Sequence, residues 1–86
     1  ALGNNSNAGF QGTAVGGNAV AGNNSVAIGF GAQATGNNSV AIGSGSVATG
    51  ANEVSIGSDG QRRSLTNVAN GKNRYDAVNL GQLDDV

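Results

Sequence analysis

Side chains able to do covalent or metal chemistry are few, and their placement is more telling than their number. The chain has no His and no Cys, its serines have no base beside them, and its acidic residues begin only at Glu53. A nucleophile needs an activating partner, general acid–base work needs a tuned pair, and a metal needs a donor cluster. None of these can be assembled here, so no catalytic residue, metal site or cofactor is expected. A calcium-binding roll would need an Asp in every period, and a hexapeptide acyltransferase helix a shorter step and a His. What remains is recognition by surface contact, with Gln33, Thr35 and Thr49 as outward candidates and Phe30 projecting from a turn.

Charge narrows the partners further. The net charge of 86 residues is -1, the first basic residue is Arg62, and everything before Glu53 is uncharged. Such a chain has no basic groove for phosphates, so nucleic acid is not an expected partner. No apolar run approaches the roughly 20 residues of a membrane helix, and no signal segment is present. The absence of Cys also removes any disulfide framework.

The elements that must position these contacts come from a repeat. Asn24-Ser25-Val26-Ala27-Ile28-Gly29 returns unchanged as Asn38 to Gly43 and edited as Asn52-Glu53-Val54-Ser55-Ile56-Gly57. Ala1-Leu2-Gly3 and Ala14-Val15-Gly16 extend it towards the N-terminus, in steps of 13, 13, 14 and 14 residues. A short fixed period is the signature of a solenoid. Each period holds two runs that alternate by twos, which reads as strand, separated by Asn and Gly able to adopt the positive φ of tight corners. The expected coil has two strands of about five residues joined by turns of about two, a flattened two-sided β-solenoid.

Alternation leaves two ways to face the strands. In one, Val26, Val40 and Val54 with Ile28, Ile42 and Ile56 are ladders filling the roll, and Ala27, Ala41 and Ser55 form a small face for close packing against neighbouring chains. The reverse facing is the alternative. In either case one Val and one Ile per coil bury too little apolar surface to offset ordering a whole period, so a second surface must help.

After Gly57 the pattern stops. Ser58-Asp59-Gly60 reads as a turn, Arg62 and Arg63 follow, and Leu65 to Ala69 leads to Asn70-Gly71. Asp76 is an expected N-cap for a helix through Ala77, Val78, Asn79, Leu80, Gln82 and Leu83. Leu80 with Leu83, or Leu83 with Val86, would open a coiled-coil seam.

The repeats, together with Gly57-Ser58 to Arg63, Leu65-Thr66-Asn67-Val68-Ala69, Gly71, Asp76-Ala77-Val78-Asn79 and Gln82-Leu83, resemble the head and neck of YadA-like trimeric autotransporter adhesins. The resemblance covers the whole chain, and the neck is its more specific half. It implies an all-β fold, a left-handed parallel β-roll that is homotrimeric and ends in a neck and the start of a trimeric coiled coil. The implied divisions are head repeats over 1–57, neck over 58–75 and stalk from 76 to 86. Neck locking would fall to Arg63, Leu65, Asn67, Val68, Asp76, Val78 and Leu83, with Arg63 and Asp76 paired between chains. The implied function is attachment to a host matrix protein such as collagen, fibronectin or laminin, from the surface of a Gram-negative cell and through an outer-membrane anchor outside this sequence. Ser46 falls at the last serine of the extended motif linked with collagen binding in one member of that family, whereas Ala32 stands there one copy earlier. A passive spacer in the fibre is the alternative function, and an ice-binding solenoid a remote one, since Thr35 and Thr49 make a ladder of only two rungs.

Overall fold

The computed structural model describes all of residues 1–86. Its strands are β1 (Asn7–Ala8), β2 (Thr13–Val15), β3 (Val20–Ala21), β4 (Val26–Ile28), β5 (Gln33–Ala34), β6 (Val40–Ile42), β7 (Val47–Ala48) and β8 (Val54–Ser55), followed by one short helix, α1 (Leu80–Asp84). Odd-numbered strands form one parallel sheet and even-numbered strands the other. Register pairs residues one period apart, Ala14 with Ala27 and Ala41, and Val26 with Val40 and Val54. The fold is therefore a two-sided parallel β-solenoid, elongated to 47 × 23 × 19 Å by its tail.

Strands are shorter and corners longer than the alternation implies. Residues 9–21 make one coil: the turn Gly9 to Gly12, β2, the turn Gly16 to Ala19, and β3. Each turn is closed by a backbone bond from its fourth residue to the carbonyl of its first, Gly12 to Gly9 and Ala19 to Gly16. The third residue of each has positive φ: Gln11, Asn24, Asn38 and Asn52 at one corner, Asn5, Asn18, Gly31 and Gly45 at the other. That is where a type II turn demands it, and Asn and Gly are the residues that tolerate it.

Two four-residue turns consume most of a period and hold the sheets close together. The interior accordingly admits only small side chains. Ala14, Ala27 and Ala41 of one sheet face Ala21, Ala34 and Ala48 of the other, with Ala19 and Ala32 at a corner, and all are buried. This reverses the expected facing. Val26, Val40, Val54, Ile28 and Ile42 stand on the outside of the roll, with Ile28 41% and Ile42 44% exposed, while Ala27 and Ala41 are fully enclosed and unavailable to a neighbouring chain; Ile56 follows β8, outside the paired strands, and is half-buried. Ser55, at the same inward position in the last coil, is half-buried. Forcing β-branched side chains into such a gap would overpack it, at about 1–3 kcal/mol per site.

The lengthening of the period from 13 to 14 residues has a local cause. After β5 one extra residue, Thr35, enters before the turn, and the backbone N–H groups of Thr35 and Gly36 both donate to the Ala48 carbonyl (2.9 and 3.2 Å). Two residues opposing one is a bulge. It turns the Gly36 carbonyl inward, where the Ser25 and Ser39 hydroxyls donate to it at 2.7 and 2.6 Å.

The glycine ending each Val-Ala-Ile-Gly run is a separate requirement. Gly29 has φ +129°, and a Cβ there would lie 2.6 Å from the Gly43 carbonyl carbon of the next rung. Gly31, in the adjoining corner, has φ +69° with open space around it. We expect Gly29→Ala to destabilise the fold by at least about 2–3 kcal/mol and Gly31→Ala by about 1 kcal/mol, read as denaturation midpoints of the two variants side by side.

Candidate functional site

The sheet of even-numbered strands presents two apolar ladders outward. Thr13, Val26, Val40 and Val54 form one and Val15, Ile28 and Ile42 the other, with Leu2 bridged to Val15 at the top. No charged residue interrupts either, and the register places each side chain directly above its homologue. An ordered apolar face of this extent marks an interaction surface.

The opposite sheet is more polar. Asn7, Val20, Gln33 and Val47 occupy its outward ladder, and Thr35 and Thr49 stand beside it on the bulged side. Gln33, Thr35 and Thr49 are exposed. Phe30 lies at the other corner, 63% exposed, with its ring over Gly17 of the preceding coil. Ser46 is different. It is fully enclosed, its hydroxyl donates to the Ile42 carbonyl (2.6 Å) and accepts from Arg63 (3.1 Å), and so it is no surface contact.

Ser25 and Ser39 explain the serine of the repeat. Ser25 Oγ also accepts from the Ser39 backbone N–H at 3.3 Å, so the pair closes a small buried network around Gly36. Either hydroxyl alone still satisfies the Gly36 carbonyl. Removing both orphans a buried acceptor, which costs about 1–3 kcal/mol. We therefore expect the Ser25→Ala, Ser39→Ala double variant to lose more stability than the sum of the single variants, measured as a double-mutant cycle in denaturant.

Arg63 ends the roll. Its Nη1 donates to Ser46 Oγ and the Ile56 carbonyl (2.9 Å), and its Nη2 to the Ser44 carbonyl (2.7 Å). The guanidinium covers Gly43 where the next coil would continue the glycine ladder. These bonds are all made inside its own chain. The single ion pair is the exposed Arg62–Asp59 contact at 3.9 Å, which contributes little. Between the last coil and the tail lies an open groove of about 750 Å³, bordered by Glu53, Val54, Ile56, Arg62 and Arg63.

The expected helix start is also corrected. Asn79 is the N-cap, not Asp76: Asn79 Oδ1 accepts from the Gln82 backbone at 2.9 Å, while Gln82 Oε1 accepts from the Asn79 backbone at 3.2 Å. The Asn-x-x-Gln spacing of a capping box is legible in the sequence. The same two side chains pin the preceding loop. Asn79 Nδ2 donates to the Val68 carbonyl and to Asn70 Oδ1, and Gln82 exchanges bonds with the Gly71 N–H and carbonyl. Leu65, Val78, Leu80 and Leu83 remain exposed, Val68 is half-buried, and Asn67 sits at positive φ.

Asp76 closes a tight loop instead. Its Oδ2 accepts from the backbone N–H groups of Asn73 and Lys72, both at 3.1 Å, and these bonds, Asn73 first, hold its carboxyl below its ordinary value of 3.8. A lowered folded-state pKa means the loop gains from ionised Asp76 above that ordinary value and loses the gain as pH falls through the folded one. Acidification below 3.8, through that lowered value, should release the Lys72 and Asn73 amide protons in NMR spectra. Asp76→Asn, which retains an acceptor, should abolish the pH dependence.

The family described as the YadA head domain repeat matches residues 8–32, 21–46 and 34–59, together more than half of the chain. Among solved structures, the collagen-binding domain of the Yersinia adhesin YadA is similar at 35% identity and a TM-score of 0.73. That alignment covers 98% of this chain and 56% of the other, so this chain spans just over half of that structure's length. No curated protein sequence matches it.

Proposed function

Since the chain belongs to the YadA-type trimeric autotransporter adhesins, as part of their head, we propose that it is a homotrimeric surface module attaching a Gram-negative cell to host extracellular matrix. The observation carrying this reading is the outward apolar face of β2, β4, β6 and β8. A lone chain would leave the Val26, Val40, Val54 and Ile28, Ile42 ladders in water, and their burial against neighbouring copies supplies the second hydrophobic surface that an alanine-filled roll lacks. Three copies packed on these ladders leave the sheets of β1, β3, β5 and β7 facing out.

Gln33, Thr35 and Thr49 on that outer sheet, together with Phe30 at the corner, are the proposed contact residues. Collagen is the first ligand to test, because the similar Yersinia domain is named for binding it; fibronectin and laminin are the others. A flat polar sheet offers hydrogen bonds and no deep pocket, so single contacts are weak. Stacked copies on three chains raise avidity by about 10² to 10⁴. The buried Ser46 contributes by holding Arg63 and the last coil in place, and an outer-membrane anchor would tie the fibre to the cell.

A spacer reading has one observation in its favour: every residue of Asn-Ser-Val-Ala-Ile-Gly has a role in building the coil or in apolar association. Solid-phase binding of the purified protein to the three matrix proteins separates the two. Ile28→Lys with Ile42→Lys should reduce the particle from trimer to monomer in light scattering and lower matrix binding at least about tenfold through lost avidity. Gln33→Ala with Thr49→Ala should lower binding while leaving the trimer mass unchanged. Retention of trimers by the first variant overturns the proposed interface, and absence of binding by intact wild-type trimers favours the spacer.

A further inference from the structure

One bond in the tail is chemically unlike the rest. The chain contains a single Asn-Gly step, Asn70-Gly71, and Asn70 is exposed to water. Glycine has no side chain to hinder its own nitrogen, so this is the step at which a backbone nitrogen most easily reaches the preceding side-chain amide. We propose that Asn70 is a deamidation site held closed by Gln82, so that it is modified when the neck loop leaves the helix.

The reaction needs only water. Gly71 N attacks Asn70 Cγ, the new N–Cγ bond replaces Cγ–Nδ2, and ammonia leaves carrying the proton given up by the Gly71 N–H. The product is a cyclic succinimide between residues 70 and 71. Water then adds to one of its two carbonyls and opens the ring, leaving an aspartyl or isoaspartyl residue at position 70.

In the docked neck both reacting groups are held. The Gly71 N–H donates to Gln82 Oε1 at 2.9 Å, and Gln82 Nε2 donates back to the Gly71 carbonyl at 3.1 Å. Losing the N–H proton in place would set a nitrogen anion against the lone pairs of Oε1, so attack requires this bond to open. Asn70 Oδ1 accepts from Asn79 Nδ2 at 2.7 Å, and that nitrogen also donates to the Val68 carbonyl. The Asn79 bond draws electrons from Asn70 Cγ and on its own would favour attack. What blocks the reaction is the position and protonation of the nucleophile, and that is the part Gln82 controls.

The seven non-glycine residues at positive φ include five corner asparagines, and these provide a contrast. Asn24 and Asn38 are followed by Ser25 and Ser39, whose backbone nitrogens are bonded inside the roll. Asn70 lies outside it, with its neighbouring nitrogen held by a single side chain at the base of a five-residue helix. Modification there is irreversible. An isoaspartyl link adds one carbon to the main chain between the Val68 and Gly71 anchor points, which puts the two ends of the pin out of register.

The test incubates the whole protein in mildly alkaline buffer and follows the loss of the Asn70 amide by peptide mass spectrometry, with a synthetic Thr66–Tyr75 peptide as the unprotected reference. Wild-type protein should react at least about tenfold more slowly than the peptide, since one hydrogen bond of ordinary strength changes the open population by about that factor. Gln82→Ala should react faster than wild type by a similar factor. Gln82→Glu, which keeps an acceptor for the Gly71 N–H, should remain slow. A wild-type rate equal to that of the peptide, an unchanged rate in Gln82→Ala, or a Gln82→Glu rate matching Gln82→Ala would each overturn the proposal.

Discussion

The narrowness of the coil governs the rest of the structure. With four residues committed to each corner, the two sheets sit as close as Ala and Ser allow, and the interior becomes columns of methyl groups and a few hydroxyls. Larger side chains have one place to go, outward. An apolar outer face follows from the corner geometry together with the Val and Ile of the repeat. Folding thus draws on one face of each strand and leaves the other apolar and outward. A three-residue strand such as β4 contributes Ala27 to the roll and Val26 and Ile28 to its surface.

Termination is solved with hydrogen bonds more than with apolar burial. A parallel solenoid has an open edge at its last coil, which would otherwise offer unpaired carbonyls to another chain. Arg63 satisfies two of these carbonyls and the Ser46 hydroxyl, and occupies the volume that a further turn of backbone would fill. Beyond it the tail has no buried side chain, and its order comes from polar clasps: Asp76 on the amides of its own loop, and Asn79 with Gln82 on residues 68–71. Exposed Leu65, Val78, Leu80 and Leu83 along this tail offer an apolar surface continuous in sequence with the roll.

Much of the fold is legible in the letters. The spacing of Val26, Val40 and Val54 defines the ladder and its register, and the observed pairing follows it. The Asn and Gly corners are equally readable, because few residues tolerate positive φ and these are the ones present. Strand length is less so. Alternation continues visually into Gly29 and Ser25, yet both belong to turns, as the hydrogen bond from Ala32 to Gly29 and the bond from Ser25 to Gly22 demonstrate. Asp76 illustrates a different ambiguity: an acid before an apolar run satisfies the rule for an N-cap, but the same carboxylate also fits a loop of its own, and Asn79 with Gln82 offered the better box.

By itself, then, the sequence determined the period, the stacking register, the corner positions, and the point after Gly57 where the repeat ends. Each is a property of residue type and spacing along the chain. Only the tertiary structure decided which face of each strand turns inward. Alternation by twos is symmetric between the faces, and hydrophobicity alone favours the wrong one here. The choice is made by the gap between two sheets joined through four-residue turns, a distance that exists only once the coil has closed, and it accommodates Ala27 and Ala41 while excluding Ile28 and Ile42.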